Sequence, residues 1–112
     1  MLPLPVLAET DYMIRRRVGA HSARRLLAAV AAATYEVAQM SPNVLRRAIA
    51  FDERYADLDL GLAHASVMAV AEYHDLPILT FDFAHFRATK SANGPWRLVV
   101  DEHQLAAAVK RR

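Results

Sequence analysis

The order of patterns along the chain points to an α/β domain with a parallel sheet. Short apolar runs suited to strands alternate with stretches of helical periodicity, the arrangement that βαβ units produce. One of those runs, Leu76 to Phe81, is compact, mostly apolar and carries β-branched residues, as a strand covered on both faces requires. The 112 residues, 54% apolar and 23% charged, suffice for one core and for one domain spanning 1–112.

Leu2 to Leu7 opens the chain as a short strand, although Pro3 and Pro5 cannot donate to a ladder. Ala8 to Val18 follows as a helix that Gly19 ends. From Ala20 to Ala33 a second helix is expected, with Ala23, Leu26, Leu27 and Val30 at i, i+3, i+4, i+7 spacing. Thr34 to Ala38 alternates as a short strand. Ser41-Pro42 starts the next helix, Ser as N-cap and Pro at the first helical position, and that helix runs to about Tyr55. Ala56 to Gly61 is an acidic loop. Leu62, Ala65, Ser66, Ala69, Val70 and Tyr73 then mark one face of a further helix. After the strand Leu76 to Phe81, Asn93-Gly94-Pro95 makes a turn. Arg97 to Val100 is a last strand and Glu102 to Lys110 a last helix.

The absence of cysteine excludes a disulfide framework, a thiolate zinc site and a Cys nucleophile, and suits a reducing cytoplasm. No apolar run approaches the ~20 residues of a membrane span. The first six residues lack the basic segment and cleavage site of a secretion signal. The net charge of +2 comes mostly from Arg against Asp and Glu. Arg15-Arg16-Arg17, Arg24-Arg25, Arg46-Arg47 and Lys110-Arg111-Arg112 suit solvated helix faces, or phosphate positioning along RNA. Trp96, beside Gly94-Pro95, suits covering the core better than stacking a base.

Ligands of open α/β sheets bind outside the carboxyl ends of the strands. Glu9 follows the first strand and Asp82 follows Leu76 to Phe81, so both fall at that edge and are expected to approach one another. Carboxylates converging there repel unless protonated or bridged, and a hard dication with oxygen preference relieves them. Such an ion can activate water and neutralise phosphate charge. Plainer roles compete: Asp82 as a loop or capping residue, Glu9 as an acid favoured by a helix N-terminus. Asp57 and Asp59 suit a solvated loop. His64 suits a partly exposed helix position, and His21, His74, His85 and His103, which share no ligand spacing, suit the surface. Ser66 lacks a His–Asp pattern around it. It suits packing or hydrogen bonding to a substrate phosphate better than nucleophilic attack.

The stretch Asp57-Leu58-Asp59-Leu60-Gly61-Leu62-Ala63-His64-Ala65-Ser66, followed by Leu79-Thr80-Phe81-Asp82 and Phe86, resembles the C-terminal half of a PIN domain, most of all that of the VapC-like toxin ribonucleases. Pro5-Val6-Leu7-Ala8-Glu9 with Tyr12 resembles the segment after that family's second strand. The resemblance implies a three-layer PIN-like domain with a parallel sheet of about four strands, lacking the family's first strand. It implies four acidic positions around Mg²⁺ or Mn²⁺. Glu9 matches the second and Asp82 the fourth. His64 stands where the third has an Asp before Ala65-Ser66, and the first has no counterpart in these residues. In the family that first strand lies in the middle of the sheet, so the resemblance implies that another segment fills the gap, that the sheet rearranges, or that about 35–45 residues precede Met1. The activity implied is metal-dependent cutting of RNA by a cytoplasmic homodimer held in check by an antitoxin protein. It is expected to be impaired, since a neutral imidazole suits Mn²⁺ but is a poor Mg²⁺ ligand. A catalytically inactive PIN-fold binding module is the alternative.

Overall fold

The computed structural model describes residues 1–32, 35–80 and 82–99. The expected last helix, from Glu102 to Lys110, lies outside the described residues. Strand β1 is Leu2–Pro3, and helix α1, Leu4–Arg17, follows it at once. The expected strand Leu2 to Leu7 is therefore mostly helix. Pro5 sits in the first turn, where a missing N–H costs nothing and a fixed φ favours helix. Helix α2 is Ala20–Ala31, strand β2 Val37–Ala38 and helix α3 Pro42–Arg54. The Ser41 side chain accepts a hydrogen bond from the Val44 N–H, as an N-cap should. A single 3₁₀ turn, Ala56–Leu58, replaces the open acidic loop and leads into helix α4, Gly61–His74. Helix α5, Phe83–Arg87, and the hairpin strands β3, Lys90–Ser91, and β4, Gly94–Pro95, complete the described chain.

Among the described residues helices α3 and α4 form the most extensive contact, and α1 packs against both α2 and α4. Phe51 and Met68 are fully buried between α3 and α4, with Ala48, Ala65 and Ala69 allowing close approach. Phe86 and Ile78 join this core. Trp96 covers it as expected: its ring lies 5.7 Å from that of Phe51, and its Nε1–H donates to Thr89 Oγ1.

In place of one four-stranded parallel sheet, the described residues hold two parallel fragments and an antiparallel hairpin. β1 pairs with β2, and Ile78 pairs with Leu98 through Ile78 N–H to Arg97 O and Val99 N–H to Ile78 O. The backbone explains the break. Leu2 donates towards β2, so Pro3 turns the opposite way; Ile78 bonds towards Leu98, so Pro77 turns away. Each fragment presents to the other a proline with no N–H to donate. An apolar hollow of about 480 Å³ separates them, lined among others by Pro3, Val6, Leu7, Val70, Pro77 and Leu79.

Candidate metal centre

Asp82 leaves the Ile78 segment as the N-cap of α5. Its own N–H donates to Thr80 Oγ1, and its Oδ1 accepts from the His85 N–H. One turn on, the His85 ring returns to the same carboxylate, because residues three apart on a helix face one way. His85 Nδ1 lies 2.5 Å from Asp82 Oδ2, and His64 Nε2, from the first turn of α4, lies 2.7 Å from that same oxygen. The two rings stand 4.9 Å apart, centroid to centroid, with Phe86 behind His64. Each of the three side chains is about one-third exposed, at 32–35%.

The second nitrogen of each ring is also engaged. His64 Nδ1 is 3.0 Å from Leu60 O, and His85 Nε2 is 3.3 Å from Leu58 O. Carbonyl and carboxylate oxygens alike only accept, so each of these contacts is a hydrogen bond only where the ring nitrogen carries a proton: one nitrogen per neutral ring, both in the imidazolium. The shorter contacts, those to the Asp82 carboxylate, have the first claim on these protons. The segment with Asp57 and Asp59 thus supplies carbonyls to the site, while those two carboxylates are exposed.

Electrostatics follow the same contacts. Partial burial acts to raise the Asp82 carboxyl, but hydrogen bonds from His85 and His64 outweigh it and hold it below its ordinary value. His85 is raised above its ordinary value, chiefly because Asp82 accepts its ring hydrogen bond. The carboxylate draws positive charge to this point, whether it arrives as protons or as an ion.

Glu9 lies within α1, not at its start, and its side chain is exposed. It lines a hollow of about 220 Å³ together with His64, Thr80 and Phe86. Glu9 and Asp82 thus both border His64, the first across this hollow and the second by direct contact. The three groups whose donor atoms lie within 4.8 Å of one another among the described residues are His64, Asp82 and His85. His85 is thereby moved from the surface set into the site. The spacing Asp82-Phe83-Ala84-His85 was its available signal. Ser66 is 0% exposed, and its Oγ has no hydrogen-bond partner among the described residues.

One carboxylate and two imidazoles do not fit Mg²⁺, which asks for near-octahedral oxygen. Mixed nitrogen and oxygen donors suit later first-row dications. Among the described residues no helix is long and apolar enough to cross a membrane.

No family model matches the sequence. Ribonuclease VapC26 of Mycobacterium tuberculosis (strain ATCC 25618 / H37Rv) is 31% identical to it over 90 residues, covering 80% of this chain and 67% of that protein. The segments that resemble a PIN domain and a ribonuclease likeness over four-fifths of the chain agree: this chain belongs to the VapC-like PIN-domain toxin family.

Proposed function

We propose that the chain is the endoribonuclease toxin of a toxin–antitoxin pair, dependent on a divalent metal and weakened at its site. The observation that carries this reading is the likeness to a ribonuclease across 80% of the chain. Glu9 and Asp82 are the acids of the site, and His64 takes the position of a third. A dication in such a site supplies charge neutralisation for phosphate and an acidic bound water. The partners that belong to this reading are an RNA substrate, a cognate antitoxin and a second copy of the chain, all in the cytoplasm.

Weakening follows from the contacts of Asp82. Its Oδ2 already meets two imidazoles, and the neighbouring acid, Glu9, stands apart across a hollow. The same contacts favour a second reading, a PIN-fold module that binds its antitoxin or another subunit without cutting RNA. RNA cleavage in Mn²⁺ and in Mg²⁺, with and without chelator, separates the two. The nuclease reading expects chelator-sensitive cleavage, higher in Mn²⁺, that falls more than about 100-fold in Asp82→Asn, beyond the loss of an outer-shell partner. Asp82→Asn is chosen because its amide oxygen keeps the cap of α5. A folded chain that leaves RNA intact under every condition makes the binding module the better account.

A further inference from the structure

We propose that His64, Asp82 and His85 form a three-ligand site for Zn²⁺, a first-row dication that accepts nitrogen donors, and that Mg²⁺ does not compete for it. The inference shares His64 and Asp82 with the nuclease reading but rests on donor geometry alone. Three donor atoms, His64 Nε2, His85 Nδ1 and Asp82 Oδ2, lie within 4.8 Å of one another. His64 Nδ1 and His85 Nε2 lie against Leu60 O and Leu58 O, which can accept their N–H once a cation replaces the protons between the rings and Asp82. Metal-bound histidines are oriented in this way, by donating the other ring N–H to a carbonyl or carboxylate. Ring protons can bridge these nitrogens to Asp82 Oδ2 at 2.7 and 2.5 Å, and a dication bound to the three atoms takes the place of those protons. Asp82 Oδ1 is held by the His85 N–H, which leaves Oδ2 as a single oxygen ligand.

Ligand atoms around a tetrahedral Zn²⁺ at about 2.0–2.2 Å stand roughly 3.4 Å apart, so the present cluster opens by under about 1 Å to admit it. Two imidazoles and one carboxylate are a known catalytic zinc set, with the fourth position open to water or substrate. The partial exposure of all three side chains leaves that fourth position accessible.

The test uses the full chain, stripped of metal, and no RNA. Co²⁺ serves as a spectroscopic probe, Zn²⁺ affinity is read by competition with a chromophoric chelator, and circular dichroism checks the fold of each variant. The expected result is a set of visible Co²⁺ bands of tetrahedral intensity that Zn²⁺ bleaches at one equivalent and a large excess of Mg²⁺ leaves intact. His85→Gln and His64→Gln each weaken Zn²⁺ binding by more than about tenfold, whereas His21→Gln, on α2, leaves it unchanged. Zn²⁺ binding as tight in His85→Gln as in the parent, or Mg²⁺ displacing Co²⁺, overturns the proposal. If a variant loses its fold, the Mg²⁺ competition on the parent chain decides. The two readings also separate: RNA cleavage without Co²⁺ bands sinks this site and spares the nuclease, and bands without cleavage do the reverse.

Discussion

Asp82 caps a helix, meets two imidazoles and borders the exit of the Ile78 segment, so its deletion would confuse folding with chemistry. Replacing a capping Asp by Ala costs about 0.5–2 kcal/mol before any effect on a site is counted. Ser66, two residues after His64, is the opposite case. It sits on the face of α4 turned to the core, where its hydroxyl is sealed from water and meets no partner among the described residues. A buried polar group without a partner costs roughly 1–3 kcal/mol in lost hydration. Ser66→Ala removes that penalty at the loss of one small atom. It is expected to raise the denaturant midpoint by about 1 kcal/mol in free energy, with RNA cleavage and metal affinity unchanged. A drop in stability of similar size would mean that the hydroxyl has a partner in solution.

At the scale of elements, one ion pair ties three parts of the fold together. Arg47 of α3 donates to both oxygens of Glu72 on α4, and the Ala92 N–H of the β3–β4 turn donates to Glu72 Oε1. The guanidinium also lies over the Phe51 ring, 4.2 Å from its centroid. The Arg47 hydrogen bonds, helped by Ala92 and opposed by burial, hold the Glu72 carboxyl below its ordinary value of 4.5. A carboxylate with a depressed folded value stabilises above its unfolded value and loses that contribution as pH falls through the folded one. Stability therefore declines from about pH 4.5 downwards. Glu72→Gln should flatten that decline and cost on the order of 1 kcal/mol at neutral pH, allowing for screening at Arg47, which is 38% exposed. Urea midpoints of both proteins across the acid range check it; parallel curves would remove Glu72 as the cause. Elements with local punctuation were legible in the sequence: Ser41-Pro42 gave α3 its start, and the apolar face Leu62 to Tyr73 gave α4. Leu2 to Leu7 was misread because proline weakens a strand and starts a helix alike, and only tertiary context selects between them. Asp82 was legible as the residue after an apolar run. His85 was legible only through its spacing of three from Asp82, because its role depends on α5 turning the chain back by one helical turn and on the Leu58 carbonyl from another segment.

For the molecule as a whole, the decisive feature is the apolar hollow between its two parallel fragments. Prolines at Pro3 and Pro77 blunt the facing edges, so the fragments do not close on each other, and the space stays lined by aliphatic side chains. Leu79, on its rim, is 67% exposed although it follows the buried Ile78. A hollow of about 480 Å³ falls within the size range of small-molecule pockets. An environment-sensitive apolar dye is therefore expected to bind the native chain at one equivalent, with saturable fluorescence enhancement and no change in far-ultraviolet circular dichroism. Leu79→Glu places a charge on the rim at a site where the fold has little at stake. Its stability should stay within about 0.5 kcal/mol of the parent, as for exposed positions generally. Dye binding should fall by tenfold or more, since an unpaired carboxylate resists the desolvation that apolar occupancy imposes. Val70→Ala is the complementary change, because Val70 lines the hollow from the core side and is 4% exposed. It should enlarge the hollow, retain the dye and lower stability by about 1–3 kcal/mol. Unaltered dye binding in Leu79→Glu would show that the dye sits elsewhere and that the hollow closes in solution.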